Sequence, residues 1–152
     1  MKQLVATLKE KGLTIGSIES MTGGLFAAAI TDVPGASKVF KGSVVSYSPL
    51  IKENVVKVKK ETIEKYGVVS EKVAYEMAQK GKKLLDVDIC VSITGNAGPT
   101  SEPGFAGVGE VYIGVATNKE IIVIKKQFSG DRVKIRHDSL LAMQEAVSIL
   151  IK

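Results

Sequence analysis

A short and almost uninterrupted apolar segment, residues 88–94, constrains the fold of this chain more than any other feature. Such a segment is typical of a strand covered on both faces, as in a sheet with helices on either side. Predicted helices alternate with predicted strands along the rest of the sequence, and we find no internal repeat or linker. We therefore predict a single domain over residues 1–152, a three-layer α/β/α structure around a mixed, mostly parallel sheet of about five strands.

Turn and cap residues give the order of the predicted elements. Gly12 ends a first helix, the Pro34-Gly35 turn ends a second, and Asp131 opens the last. Asn118 and Lys119 separate two strand-like runs and predict a hairpin, so at least one strand runs antiparallel. The full prediction is a helix over 2–11, a strand over 14–19, a helix from 25 to about 32, a strand over 42–47, helices from 49, 61 and 71, strands over 88–94, 108–117 and 120–128, and a C-terminal helix.

Composition argues against several classes of function. The formal net charge is +5, but lysines are interleaved with acids, and aromatic residues are only 5%, so we predict no nucleic-acid partner. No apolar run approaches the roughly 20 residues that cross a bilayer, and the charged N-terminus does not resemble a signal peptide, so we predict no membrane partner. The single cysteine, Cys90, allows no internal disulfide and fits a reducing cytoplasm, where we expect the protein to reside.

The segment Ser20-Met21-Thr22-Gly23-Gly24 lies between a predicted strand and a predicted helix. A hydroxyl residue followed by glycines at such a junction has two interpretations. It can cap the helix, since Ser, Thr and Gly all suit that position. It can also form a site, because free N–H groups at a helix start bind phosphate or an oxyanion, with Ser20 as an exposed nucleophile beside them.

Three loops should gather at one edge of the sheet if the first three strands run parallel: 20–24, 47–52 and 94–99. The crevice outside the carboxyl ends of the strands is where open α/β sheets bind ligands. The segment 95–99 has small residues whose N–H groups can approach a ligand closely. On its own, however, that segment fits a tight turn at the end of a strand better.

If Ser20 is a nucleophile, its base is a lysine, because the only histidine, His137, has no acid placed by the sequence to orient it. Lys52 is the candidate, at the start of a helix, where burial and the helix field would lower its pKa. Tyr47 could relay a proton or hold the lysine. The competing interpretations are that Lys52 is an ordinary surface lysine, and that a triad uses His137. One histidine and one cysteine give a transition metal little support, and we predict no metal.

Arginine occurs only twice, at Arg132 and Arg136, and both lie at the start of the predicted last helix. Because they are four residues apart, they share a helix face. Cations oppose the dipole at a helix start, so this placement needs a reason. A carboxylate or phosphate ligand would supply one, and a salt bridge to Asp131 or Asp138 would supply another.

These segments, in this order, resemble the CinA C-terminal domain family, the nicotinamide-nucleotide amidohydrolases, over essentially the whole chain. The motifs that carry the resemblance are Glu19-Ser20-Met21-Thr22-Gly23-Gly24, Tyr47-Ser48 followed by Lys52, Gly95 with Ala97-Gly98-Pro99, Val108-Gly109, and Phe128-Ser129-Gly130-Asp131-Arg132 with Arg136. The resemblance implies hydrolysis of nicotinamide mononucleotide at its carboxamide, giving nicotinate mononucleotide and ammonia in pyridine nucleotide recycling, with no metal or other cofactor.

The resemblance also implies roles for individual residues. Ser20 is the nucleophile, Lys52 its base and Tyr47 an assisting group. Oxyanion and substrate contacts are expected from the glycine turns, and phosphate contacts from the arginines; together these residues are Thr22, Gly23, Gly24, Thr94, Gly95, Ala97, Gly98, Arg132 and Arg136. The expected partner is a small-molecule nucleotide substrate, bound by a homo-oligomer of the chain.

The sequence departs from the family pattern in two segments near the expected site: Thr94-Gly95-Asn96-Ala97-Gly98-Pro99 replaces the usual Ser-Gly-Ile-Ala-Gly-Pro, and Gly107-Val108-Gly109-Glu110 replaces Pro-Val-Gly-Thr. Asn96 stands where the family usually has Ile, and Glu110 stands where it usually has Thr. A charge at Glu110 would weaken the binding of an anionic phosphate. These departures motivate the alternative that the chain is a non-catalytic nucleotide-binding or partner-binding module of the same fold.

Overall fold

The computed structural model describes residues 1–101 and 104–152. The strands are β1 (Ile15–Glu19), β2 (Phe40–Val45), β3 (Ile89–Gly95), β4 (Glu110–Ala116) and β5 (Ile121–Gln127), and the helices are α1 (Lys2–Lys11), α2 (Leu25–Thr31), α3 (Pro49–Ile51), α4 (Lys60–Tyr66), α5 (Glu71–Leu85) and α6 (Arg132–Leu150). A 3₁₀ turn (Ala36–Lys38) precedes β2, and a π-helical turn (Lys52–Val56) follows α3 directly. Among the described residues, no helix has the length and apolar character needed to cross a membrane.

The strands form one mixed sheet in the order β2-β1-β3-β4-β5. β1 pairs in parallel with both β2 and β3, whereas the β3–β4 and β4–β5 pairs are antiparallel. Only β4, within the described ranges, therefore runs against the other strands. The mixed, mostly parallel sheet predicted from the sequence is confirmed, and the carboxyl ends of β1, β2 and β3 meet at one edge.

Helices cover both faces of this sheet and complete the predicted three layers. On one face α1, α2 and α6 pack over residues such as Leu8, Phe26 and Met143. On the other face α5 packs over β1 and β3. The contact of α5 is close, because a Cβ atom at Gly81 would lie 2.2 Å from Ile18 Cγ1. The apolar segment that suggested a doubly covered strand is β3, whose residues 89–94 are all buried.

Two predicted elements depart most from the observed ones. The second strand starts and ends two residues earlier than predicted, although its ladder continues through Ser46, whose N–H donates to the Glu19 carbonyl at 2.7 Å. The helix that begins at Pro49 makes only one α-turn before it widens into the π-helical turn. This wider turn buries both Lys52 and Val56, which are four residues apart, and it ends at Lys57 in the left-handed conformation (φ 71°).

Candidate active site

Ser20 follows the last residue of β1 and is held at the sheet edge by main-chain bonding. Its N–H donates to the Ile93 carbonyl of the neighbouring strand at 3.1 Å. Gly23 and Gly24 then adopt positive φ angles of 62° and 99°, which a residue with a side chain rarely adopts, and α2 begins. The turn leaves Ser20 7% exposed, at the wall of a cavity.

Lys52 meets Ser20 from the next crossover connection. Ser48 caps α3, Pro49 occupies its first turn, and the π-helical turn directs Lys52 inward until it is only 1% exposed. Its Nζ donates to Ser20 Oγ at 2.9 Å and to the Ser46 carbonyl at 2.5 Å. The predicted pairing of serine and lysine is therefore present in the geometry, and the interpretation of Lys52 as a surface lysine is wrong.

Burial lowers the pKa of Lys52 from 10.5 to about 8. The physical cause is loss of hydration of the ammonium group, which disfavours the charged form. The expected contribution from a helix-start field is not found, since Lys52 ends α3 rather than beginning a long helix. At pH 7.5, a lysine with this pKa is neutral in about a quarter of the molecules, so an amine able to accept a proton is available.

Tyr47 does not hold the lysine. Its side chain is 59% exposed, and its hydroxyl accepts a hydrogen bond from Arg132 Nη2 at 2.9 Å. The group that holds Lys52 alongside Ser20 is the carbonyl of Ser46, which the sequence analysis missed. No sequence signal could have identified it, because any residue at that position offers a carbonyl. Tyr47 still lines the cavity, so its role as an assisting group in a reaction stays a prediction.

The start of α2 is not open to a ligand, which corrects the expected roles of Thr22, Gly23 and Gly24. The Thr22 hydroxyl and the Gly24 N–H donate to the buried Glu19 carboxylate, at 2.7 and 3.1 Å. The Gly23 N–H donates to the Ser20 carbonyl at 3.0 Å. Each of these donors already has a protein acceptor, so none is available for an oxyanion or a phosphate.

One N–H group beside Ser20 remains open to the cavity, because Thr22 is fully buried and does not line it. In the described residues, the main-chain N–H groups of Met21 and Thr22 have no hydrogen-bond acceptor. Met21 also lines the same cavity as Ser20. The free donor at the cavity wall is therefore the N–H of Met21, rather than those of the two glycines.

The three loops predicted to gather do so around a cavity of about 200 Å³, lined by residues that include Ser20, Lys52, Gly95, Ala97, Gly98 and Arg132. Thr94 also lines this cavity, but its hydroxyl donates to the Val68 carbonyl at 2.8 Å. A second cavity of about 580 Å³ adjoins it and shares Pro49, Val68 and Asn96 as walls. Ser20 and Lys52 thus line the smaller cavity, which adjoins a larger space.

The two arginines bind main-chain carbonyls. Arg132 donates to the Gly98 carbonyl at 2.6 Å and to the Tyr47 hydroxyl. Arg136 donates to the carbonyls of Met21 and Thr22 at 2.9 and 2.8 Å. Neither expected salt bridge, to Asp131 or Asp138, occurs within the described ranges. Arg136 therefore holds the turn after Ser20 and does not line the cavity, whereas Arg132 does; contact of either arginine with a phosphate stays a prediction.

Glu110 and His137 lie outside the cavity around Ser20. The Glu110 carboxylate accepts from the Tyr112 hydroxyl at 2.6 Å and pairs with Lys125 at 3.0 Å, and these contacts hold its pKa below the usual range. His137 is exposed, and its Nδ1 lies 3.9 Å from Asp138. The charge at Glu110 is thus largely compensated, and no described contact joins His137 to Ser20. Asn96 does line the cavity, with its amide bonded to the Ala106 carbonyl at 2.5 Å.

The remaining candidate for chemistry in the sequence, Cys90, is inert in its surroundings. It is fully buried in β3, and burial raises the pKa of its thiol to about 12. Across residues 1–101 and 104–152, no group of three or more His, Cys, Asp or Glu side chains is placed to hold a metal ion.

The fold and this cavity define the class: a three-layer α/β domain in which a serine at a strand end contacts a buried lysine from the next crossover. The model of the CinA C-terminal domain family matches residues 1–151. The chain belongs to this family.

Individual relatives agree with this assignment. A CinA-like protein from Fusobacterium nucleatum is 47% identical over 146 residues, which cover 95% of this chain and 35% of the relative. The crystal structure of a competence or damage-inducible protein from Enterobacter asburiae superposes with a TM-score of 0.96 at 25% identity, over 99% of this chain and 95% of the other. A CinA superfamily protein from Klebsiella pneumoniae gives 0.95 at 26% identity, over 99% and 94%. The chain spans about a third of the length of the curated relatives it matches.

Proposed function

We propose that this chain is an amidohydrolase that converts nicotinamide mononucleotide to nicotinate mononucleotide and ammonia by a serine–lysine mechanism. The observation that carries the proposal is the 2.9 Å contact between Ser20 Oγ and Lys52 Nζ at the wall of a cavity. Since burial lowers the pKa of Lys52 to about 8, its amine is an available base near neutral pH. The choice of substrate comes from the family resemblance of the motifs around these residues.

The acylation half of the reaction forms one bond and breaks another. Ser20 Oγ attacks the carboxamide carbon while the neutral amine of Lys52 accepts the hydroxyl proton. The carbonyl oxygen becomes an oxyanion, for which the N–H group of Met21, free of a protein acceptor at the cavity wall, is the candidate donor. When the tetrahedral intermediate collapses, the C–N bond breaks, the Lys52 ammonium returns its proton to the departing nitrogen, and ammonia leaves.

Deacylation repeats the same proton transfers with water. Lys52, neutral again, accepts a proton from a water molecule that attacks the ester carbon. Collapse of the second intermediate breaks the ester C–O bond, and Lys52 returns the proton to Ser20 Oγ. The carboxylic acid product ionises at neutral pH, and the enzyme is restored without any external reductant, oxidant or metal.

The cavities support a nucleotide-sized substrate. The space of about 200 Å³ at Ser20 suits the reacting carboxamide, and the adjoining space of about 580 Å³ gives room for a larger substituent. Arg132 is the arginine better placed to meet an anionic phosphate, because it lines the first cavity and no carboxylate neutralises its charge.

Ammonia release from nicotinamide mononucleotide by the purified chain tests this proposal. We expect turnover that is lost in Ser20→Ala and in Lys52→Met, because each variant removes one member of the proton-transferring pair. Ser37→Ala and Lys119→Met, at exposed positions far from the cavity in sequence, are matched controls that should keep wild-type rates. Each variant needs an unchanged circular dichroism spectrum for the comparison to hold.

Two results would contradict the proposal. Turnover that persists in Ser20→Ala would remove the serine from the mechanism. Calorimetric binding of the mononucleotide without any ammonia release would instead favour a non-catalytic binding module. A third pattern, an inactive His137→Ala with an active Lys52→Met, would identify a histidine-dependent hydrolase.

A further inference from the structure

Glu19 is a buried carboxylate at the end of β1 that the proposed mechanism does not use. Its side chain belongs to a fully buried residue, and buried carboxylates are rare unless their oxygens are satisfied. Here five donors surround it at 2.7 to 3.2 Å: the Thr22 and Ser17 hydroxyls and the N–H groups of Gly24, Phe26 and Ala27. The carboxylate takes the place that an anionic ligand would occupy at the start of α2.

The same residue fixes both members of the reactive pair. Through its side chain, Glu19 binds Thr22 and Gly24 and so holds the turn that contains Ser20. Through its carbonyl, it accepts the N–H of Ser46, whose own carbonyl accepts from Lys52 Nζ. Glu19 is therefore hydrogen-bonded both to the turn that contains Ser20 and to Ser46, the residue whose carbonyl holds Lys52.

We propose that Glu19 is a positioning residue, whose carboxylate holds the Ser20 turn so that Ser20 Oγ stays within hydrogen-bonding distance of Lys52 Nζ. This inference rests on the proposed function for its biological meaning, but its geometry can be tested separately. Removing the carboxylate leaves buried N–H and hydroxyl donors without an acceptor, a costly state that the turn can relieve only by moving. A moved turn separates Ser20 from Lys52.

The contribution of Glu19 is geometric rather than electrostatic. The pKa of Lys52 is lowered by burial, and no charge effect of Glu19 is needed to account for it. Loss of Glu19 should therefore change how strongly Lys52 interacts with the group at position 20. That coupling is measurable if position 20 carries a group whose own ionisation can be followed.

A Ser20→Cys substitution provides that group. Contact with the Lys52 ammonium should lower the pKa of the introduced thiol below its ordinary value near 8.5, because the positive charge stabilises the thiolate. The pH dependence of alkylation by iodoacetamide, a small neutral amide, reports this pKa. The native Cys90 does not interfere, because it is fully buried and burial raises its thiol pKa to about 12.

Glu19→Gln and Glu19→Ala are then added to the Ser20→Cys chain. We expect the alkylation rate at pH 7 to fall by up to about tenfold and the midpoint to rise by about one pH unit, as for a thiol that has lost its cationic partner. Refolding the Glu19→Ala chain with formate should restore much of the lost rate, because formate can satisfy the same donors. Glu76→Ala is the matched control: Glu76 also accepts from a main-chain N–H, of Lys59, and from the Thr62 hydroxyl, but away from Ser20.

Several outcomes would overturn the inference. A folded Glu19→Gln chain with an unchanged pH dependence of alkylation would show that Glu19 caps α2 without positioning Ser20. An equal loss of rate in Glu76→Ala would show a general effect of destabilisation. An ordinary thiol pKa in the Ser20→Cys chain with Glu19 intact would show that the group at position 20 does not interact with Lys52, so there would be no contact for Glu19 to maintain. Since none of these measurements uses a nucleotide, an inactive wild-type chain in the ammonia assay would refute the proposed function and leave this test intact.

Discussion

Replacing Lys52 by methionine should stabilise the fold at low pH and destabilise it at high pH, while abolishing the proposed activity. Lys52 is 1% exposed, and burial lowers its pKa from 10.5 to about 8. Below pH 8 the lysine is protonated in both the folded and unfolded chains, so the folded state bears the full cost of a buried ammonium. That difference in pKa corresponds to about 3 kcal/mol.

The sign of the pH dependence follows from which state holds the proton. Between pH 8 and 10.5 the folded lysine has lost its proton while the unfolded lysine keeps it, so the wild-type free energy of unfolding rises with pH relative to Lys52→Met. The variant also loses two hydrogen bonds, to Ser20 Oγ and the Ser46 carbonyl, which together cost about 2 kcal/mol at every pH. We expect a net gain of roughly 1 kcal/mol in the variant at pH 6 and a net loss of similar size at pH 10.

Urea unfolding of the wild-type and Lys52→Met chains between pH 6 and 10 measures this difference. The informative quantity is the difference in the free energy of unfolding between the two chains, which should change by about 2 kcal/mol over that pH range. The lost hydrogen bonds contribute a constant to this difference. Lys119→Met removes a charge from an exposed turn, and its free energy of unfolding should change with pH in the same way as that of the wild type. If the free energy of unfolding of Lys52→Met also follows that of the wild type across this pH range, the surroundings of Lys52 do not disfavour its charge. Lys52 is then not a base of lowered pKa.

Further predictions concern the reaction and the packing. The rate of ammonia release at saturating substrate should rise with pH through about 8 as Lys52 loses its proton, and a flat profile from pH 6 to 9 would exclude it as the base. Gly81→Ala should lower the free energy of unfolding by about 1–3 kcal/mol in urea titrations, because its Cβ would lie 2.2 Å from Ile18 Cγ1; a neutral result would mean that α5 shifts freely. Asp131→Ala should cost about 1 kcal/mol in thermal unfolding by removing the side-chain cap of α6. Cys90 should react with a thiol reagent only after denaturation, and prompt reaction in the native chain would contradict its burial.

The sequence predicts the fold well because its signals are local. The apolar segment of β3, the hairpin at Asn118 and the caps at Ser70 and Asp131 each act within a few residues, and each element forms where it was expected. The exception is the segment after Pro49, which has the composition of an α-helix. There, the burial of both Lys52 and Val56 favours a π-helical turn, a preference set by tertiary packing.

The site is predicted less completely, since its contacts join residues that are distant in sequence. Ser20 and Lys52 could be paired because they follow neighbouring strands of the sheet. Glu19 has no role of its own in the sequence analysis, although a charged residue at the end of a strand and three residues before a threonine is a usable signal. Arg136 could not be assigned from sequence, because its partners are the carbonyls of a turn more than a hundred residues away.

The parallel pairing of β1 and β2 has a consequence for how this site can be lost. Ser20 comes directly after β1, and the carbonyl that orients the lysine comes directly after β2, so the alignment of the two strands sets the distance between serine and amine. A slip of one residue would shift one strand by about 3.3 Å, more than the length of the bond it must preserve. The register of the β1–β2 pair and the separation of Ser20 from Lys52 are thus linked, and an alteration at the far end of β2 can separate the two side chains without touching any group that lines the cavity.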